Sequence, residues 1–228
     1  PLSSSAASDV YKRQNQDYSS VFIFDKEYWS QSDRSVNQLK FALDSLNELE
    51  LELKKFNVNL YVFEGSLRDF ASYMNQNHPN SNLHMNHTTE TEYFSRNLKA
   101  LKQNFSLSVN EYKDFGIQIT NQNRDNWASD WQNYMNSKTY KIPLLSKKFK
   151  TMNLPKFSEF KNYNNKFITH IQKGGTVSGK GLLTSFLEKR CKGYSKKMSN
   201  PSDAVIACSR LSPHIAFGTL SILSLIHI

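Results

Sequence analysis

Ser209-Arg210-Leu211-Ser212-Pro213-His214-Ile215-Ala216-Phe217-Gly218-Thr219-Leu220-Ser221 is the stretch on which the reading of this chain turns. Two serines stand just before a proline, whose fixed φ suits the first turn of a helix. The N–H groups at a helix start have no partner within the helix. Together with nearby hydroxyls they form a site suited to a phosphate-like anion. The same residues also read as an ordinary helix start, with Ser212 capping and Pro213 at the first helical position. The residue pattern by itself leaves both readings open.

Working upstream, Val177 to Lys196 reads as a helix with Leu182, Leu183, Phe186 and Leu187 as its apolar residues. Gly174-Gly175 precedes it and ends a lysine- and asparagine-rich stretch, Ser137 to Lys173, that carries Pro143 and Pro155 and shows little period. That stretch reads as an inter-domain linker lying over the surface. Asn126 to Asn136 looks helical, with Trp127, Trp131 and Tyr134 spaced to share one face, and Phe115 to Thr120 reads as an extended segment.

The first half alternates. Val21-Phe22-Ile23-Phe24 is a short apolar run rich in strand formers. Val36, Leu39, Leu43, Leu46, Leu49 and Leu53 then recur at helical spacing, with Asp33 or Ser32 as the expected cap. Asn59 to Phe63 is the next strand, and Gly65 turns the chain into a helix from Ser66 to Asn75. Asn82 to Met85 is a weaker strand, a helix containing Tyr93, Phe94, Leu98 and Leu101 follows Thr88 or Thr89, and Phe105 to Val109 closes the series. Strands alternating with helices imply a parallel sheet covered on both faces, so the fold class is α/β.

The two ends read differently from the rest. Asp9-Val10-Tyr11-Lys12-Arg13-Gln14 can be encoded as GAT GTG TAT AAG AGA CAG, and the reverse complement of that string translates as Leu-Ser-Leu-Ile-His-Ile, which is Leu223 to Ile228. Unrelated protein ends would rarely encode one inverted repeat, and the string looks like a transposase end used in preparing sequencing libraries. Residues 1–14 and 223–228 are therefore expected to be adapter-derived and are set aside from fold reasoning. Source DNA running naturally through both junctions would sink that expectation. The remaining organisation is a partial α/β domain over 15–136, a linker over 137–173 and the start of a helical domain over 174–222.

Of the 228 residues 38% are hydrophobic and 21% charged, which suits a globular chain with a packed core. No apolar run approaches the roughly 20 residues that span a bilayer. No signal peptide is evident, and Cys191 and Cys208 are too few for a disulfide framework, so the expected compartment is the cytoplasm. The net charge of +9 is concentrated late: between Lys138 and Lys197 the only acids are Glu159 and Glu188. A field of one sign attracts polyanions, nucleic acid above all, although a solvated lysine-rich surface gives the same composition. His78, His84 and His87 lack a recognised metal-ligand spacing, no Gly-x-Ser-x-Gly elbow occurs, and Gly179-Lys180-Gly181 is a lone G-x-G with no preceding strand.

Ser209 to Ser221 resembles the flavin-phosphate motif of the photolyase/cryptochrome family, Thr/Cys-Ser-Arg-Leu-Ser-Pro-Tyr-Leu-Ala-x-Gly-x-Leu-Ser. His214 stands where tyrosine is usual. Gly174-Gly175, Leu183, Phe186, Arg190 and Tyr194 match that family's helix leading to the flavin, with Gly179 in place of a usual alanine. Ser199-Asn200-Pro201, Asn123 to Trp127, Trp131 and Met135 fit one bacterial branch, and Val21 to Asp25 with Trp29 resembles the second strand and following loop of the antenna domain.

The resemblance implies a Rossmann-like antenna domain lacking its first strand, followed by the first helices of an all-α FAD-binding domain. It implies FAD as cofactor, with Tyr194 near the phosphates and with Cys208, Ser209 and Ser212 supplying backbone or hydroxyl donors within a binding segment that includes Arg210 and Leu211. No catalytic or metal-ligating residue is assigned. A second antenna chromophore, of pterin/folate or deazaflavin type, would accompany the flavin. The resemblance implies a monomeric DNA photolyase that repairs pyrimidine dimers in damaged DNA by photoinduced electron transfer. The alternative is a cryptochrome, a blue-light receptor without repair activity. Trp29, Trp127 and Trp131 are expected to be packing residues and not members of the electron-transfer chain. A chain of this extent, without the isoalloxazine pocket, is expected neither to hold FAD stably nor to repair DNA.

Overall fold

Val21 to Phe24 is a strand because its β-branched and aromatic side chains pack on a pleated surface and Asp25 ends the apolar run. The computed structural model describes residues 18–87, 95, 98–99, 101–102, 108–113, 123–138, 151–160 and 172–226. Strand β1, Ser20–Phe24, lies parallel to β2, Leu60–Glu64, with Ser20 opposite Leu60 and Phe24 opposite Glu64. Parallel neighbours need a crossover. Here α1, Lys26–Trp29, and the longer α2, Val36–Lys54, supply it.

The starts of the first three helices are chemically specified. Asp25 accepts from the N–H groups of Glu27 and Tyr28 to open α1. Helix α2 is capped by Ser35, not by Asp33 or Ser32 as expected, because only Ser35 has a glutamine three residues on. Gln38 returns a bond to the Ser35 N–H, forming a capping box. Ser66 and Asp69 form the same box at α3, Leu67–Asn77. The Ser66 hydroxyl and N–H hold the Asp69 carboxyl below the ordinary aspartate value.

A second parallel pair joins β3, Asn82–Asn86, to β4, Ser108–Tyr112. The last strand was expected over Phe105 to Val109. It runs on to Tyr112, while 105–107 lie outside the described residues. Between these strands 98–99 and 101–102 are helical, and Leu101 is buried with Leu67 and Ala71. The expected helix residues Tyr93 and Phe94, and the extended segment at Phe115 to Thr120, also lie outside the described residues. Helix α4, Trp127–Met135, forms where its spacing predicts and buries Met135. Trp127 and Trp131, expected to pack, are instead exposed, at 56% and 41%.

The core against β1 and β2 holds Phe24, Leu39, Leu60, Val62 and Phe157. Phe157 corrects an expectation, because it belongs to the stretch assigned to a surface linker. In the structure the Val62 N–H donates to the Pro155 carbonyl at 2.9 Å, and Lys156 bridges Tyr61 in antiparallel fashion. A short 3-10 turn, Phe157–Glu159, then drives the Phe157 ring into the core, leaving it 1% exposed. The buried Glu50 carboxylate of α2 accepts from the Ser158 N–H at 3.1 Å and pairs with Lys54 at 3.3 Å, so its charge is compensated. Residues 139–150 and 161–171 of the same stretch lie outside the described residues.

The expected continuous helix from Val177 to Lys196 is three pieces. Helix α5, Thr176–Ser185, widens into a π turn over Phe186–Arg190, and Gly193, at φ 84°, breaks the chain before α6, Tyr194–Lys197. Only a residue without a Cβ adopts such a φ without strain, so Gly193 ends the run. Helices α7, Pro201–Ala207, α8, Ser212–Ala216, and α9, Ile222–Ile226, follow. Most of α9 falls within the segment that the inverted repeat assigns to appended DNA, yet Leu223 is buried at 1% exposure.

Helix α2 joins the two halves. The start of α5 has no side-chain cap of its own, and α2 provides one: Glu48 accepts from the Val177 N–H at 3.0 Å, and the Ser45 hydroxyl accepts from the Gly175 N–H at 3.0 Å. A carboxylate at a helix N-terminus is favoured by the helix dipole as well. The Phe41 ring packs against His214 and Phe217, with centroids 5.0 and 5.1 Å away.

Candidate functional site

The segment Cys208–Ser212 is a turn between two short helices, and its carbonyls and N–H groups have separate fates. The Cys208 N–H closes α7 by donating to Ala204 O at 3.0 Å. The N–H groups of Ser209, Arg210, Leu211 and Ser212 meet no backbone acceptor among the described residues. Arg210 has φ 60° and Leu211 returns to the right-handed region. Consecutive left- and right-handed residues curl their N–H groups into a concave nest that suits an anion. A non-glycine residue at positive φ costs free energy and persists where the surroundings hold it.

The holding groups are visible. Arg190 donates from Nη1 to the Cys208 carbonyl and from Nη2 to the Ser209 carbonyl at 3.4 Å. Its Nη2 also meets the Leu182 carbonyl at 2.5 Å, and its Nε meets the Ser185 hydroxyl at 3.1 Å. Gln172 Nε2 donates to the Arg210 carbonyl at 2.7 Å. Three successive carbonyls are thus tied from one side.

Tyr194 reaches this assembly through rings. It meets Phe186 edge-on, with centroids 5.6 Å apart and planes at 89°, and the Arg190 guanidinium lies 5.8 Å from the Phe186 centroid. The structure therefore connects Tyr194 with Cys208 and Ser209 through two residues, Phe186 and Arg190, that the sequence reading matched to the helix leading to the flavin but gave no binding role. Tyr194, Cys208 and Ser209 are half-buried, Leu211 is buried, and Arg210 and Ser212 are exposed. Leu211 takes the N-cap position of α8, and no side-chain bond caps that helix, so the Ser212 hydroxyl is not engaged as a cap. At Cys208, whose N–H serves α7, the thiol is the group left for a ligand. Lys180, Lys189, Lys196 and Lys197 on the surrounding helices and Lys192 on the turn between them are exposed and supply positive charge.

Behind the turn, His214 is fully buried at 0% exposure, and its Nδ1 lies 2.8 Å from Thr219 Oγ1. Its Nε2 is buried without a hydrogen-bond partner among the described residues. Burial pushes the His214 pKa below 6.5, and the Glu48 carboxylate and a Gly175 backbone group oppose that shift. The sign of the linkage follows. The unfolded histidine takes up its proton first as pH falls, so the stability from keeping His214 neutral is complete above about pH 6.5 and declines below it. Urea midpoints measured between about pH 5 and pH 8 should fall more steeply on the acid side in the wild type than in His214→Gln. Parallel curves would show that the histidine has no such role.

Gly179 lies against this ring. A Cβ at position 179 would stand 2.8 Å from His214 Nδ1 and 3.0 Å from Leu220 Cγ. Gly179 and His214, which stand where the resembled pattern usually has alanine and tyrosine, therefore lie against each other, and the glycine provides clearance as well as a weaker helix.

Comparison with known proteins adds a family model and a fold. The model described as DNA photolyase matches residues 5–111, beginning inside the stretch that the inverted repeat assigns to appended DNA. Among curated proteins none matches. A crystal structure of an archaeal photolyase from Sulfolobus tokodaii, described with two FAD molecules and as implying a novel light-harvesting cofactor, is similar in fold. The TM-score is 0.67 at 17% identity over 99% of this chain and 51% of that one. The chain thus spans about half the length of that structure. Among the described residues no helix is long and apolar enough to cross a membrane.

Proposed function

We propose that this chain, whose residues 5–111 match the DNA photolyase family model and whose fold resembles that of an archaeal photolyase, belongs to the cryptochrome/DNA photolyase family and contributes the antenna domain and the phosphate-binding entrance of an FAD-containing photolyase acting on pyrimidine dimers in DNA. The observation that carries this reading is the turn at Ser209–Ser212, whose N–H groups meet no backbone acceptor among the described residues while the carbonyls of Cys208, Ser209 and Arg210 are tied behind.

These residues fit a pyrophosphate. The Ser209, Arg210 and Leu211 N–H groups and the Ser209 and Ser212 hydroxyls are donors suited to its oxygens. Tyr194 is linked to them through Phe186 and Arg190. When bound, FAD would supply light-driven electron transfer, and the residues of this chain would hold and orient it. The exposed lysines of α5, α6 and the π turn favour a DNA partner over a purely signalling role, because their field attracts the phosphate backbone. A second antenna chromophore, of the pterin/folate or deazaflavin type, belongs to the same reading.

The test is repair of a dimer-containing oligonucleotide under blue light by the full-length protein. Flavin photoreduction without repair would favour a cryptochrome receptor instead. In the same protein, Ser209→Ala combined with Ser212→Ala should weaken FAD retention. Each lost charge-assisted hydrogen bond costs about 1.5–3 kcal/mol. Flavin absorbance co-purifying unchanged would show that the two hydroxyls do not touch the phosphates.

A further inference from the structure

We infer that Arg190, assisted by Gln172, is the positioning residue that aims the N–H donors of the Ser209–Leu211 turn at the anion. The proposal rests on the phosphate-binding reading above and adds the device that creates the donor geometry.

In a planar trans peptide the C=O and the following N–H point in opposite directions. Fixing the carbonyls of residues 208, 209 and 210 therefore fixes the N–H vectors of Ser209, Arg210 and Leu211. Arg190 takes the first two carbonyls and Gln172 the third. The three N–H groups they orient are the ones with no backbone acceptor among the described residues. Pinning from behind also explains how Arg210, a residue with a Cβ, is held at φ 60°.

Arginine suits this role through its shape. Its planar fork presents donors in fixed directions, and here it spans four acceptors on two segments: Leu182 and Ser185 on α5, and Cys208 and Ser209 on the turn. A lysine ammonium is a point donor and cannot hold two successive carbonyls at one orientation while reaching α5. The π turn contributes as well. Inserting the wider turn over Phe186–Arg190 shifts the register of the helix and carries Arg190 to face both α5 and the turn. The same residue sits over Phe186, the ring that supports Tyr194, so one side chain sets the positions of both parts of the candidate site.

The experiment compares FAD with riboflavin, which has the ring system but no phosphate, in the full-length apoprotein. Arg190→Lys and Arg190→Met should each lower FAD affinity about 10- to 100-fold. Riboflavin affinity should change less than about 2-fold, because riboflavin does not use the turn. Gln172→Leu, at a half-buried position, should give a smaller loss in the same direction and serves if the Arg190 variants fold poorly. Loss of both ligands to the same degree would reveal general support of the fold and overturn the role. Unchanged FAD affinity in Arg190→Lys would overturn it too. A wild-type protein that binds neither flavin would remove the phosphate-site reading itself.

Discussion

Replacing Gly174 by alanine should loosen the helical segment from α2 and destabilise the protein by about 3 kcal/mol, near the upper end of the usual cost of overpacking. The size of the effect follows from what the new methyl would meet. A Cβ at 174 would stand 2.2 Å from the Phe41 carbonyl oxygen and 2.6 Å from Ser45 Oγ. The first is backbone within a long helix and has no rotamer to escape into. The clash therefore has to be relieved by moving the two segments apart. That motion would strip the Gly175 N–H from Ser45 and the Val177 N–H from Glu48, and it would open the contact of Phe41 with His214 and Phe217. A shift of ~2–4 °C per kcal/mol is ordinary for a chain of this size, so the thermal midpoint should fall by roughly 6–12 °C. A midpoint within about 2 °C of wild type would show that the approach of these segments is looser than the distances state.

Phe157→Ala should be comparably severe, costing about 3–5 kcal/mol as expected for a buried phenylalanine. Its ring is 1% exposed and contacts the cluster of Phe24, Leu39, Leu60 and Val62, with Phe160 stacked obliquely at its side. Truncation leaves a cavity beneath the β1–β2 pair. It also weakens the hold on residues 155–159, whose other attachments are the Val62 to Pro155 bond and the Ser158 to Glu50 bond. Urea denaturation should show a lower midpoint for Phe157→Ala, and Phe157→Leu should recover a good part of the loss. A truncation costing less than about 1 kcal/mol would return this stretch to the role of surface linker.

What was legible in the sequence follows the physics of each element. The alternation of β1, α2, β2, α3 and β3 was plain because apolar spacing and helix caps act locally. Ser35 replaced the expected cap by one turn position, since the capping box depends on a partner three residues on. Phe157 was hidden because a single anchor in a lysine- and asparagine-rich stretch produces no period. The breaks in Val177 to Lys196 were hidden for the opposite reason: the apolar spacing of Leu182, Leu183, Phe186 and Leu187 continues through a π turn that widens the helix without changing its composition. At the candidate site the Ser209 to Ser221 motif singled out the turn and Tyr194. Arg190 stood out only as a match to the resembled helix, without a role, and Gln172 not at all, because a side chain bonding to distant carbonyls leaves no spacing rule. The one available signal was an arginine among lysines, since a guanidinium is favoured where several acceptors must be held at once.

The contact between Gly179 and His214 bears on how this sequence could have changed over time. With the imidazole in place, a methyl at 179 has 2.8 Å to Nδ1, so returning that position to alanine is closed unless position 214 or Leu220 shifts as well. Each residue sets which substitutions the other tolerates. The pair therefore behaves as one epistatic unit, and in related chains the two positions should covary, with histidine at the second found alongside glycine at the first.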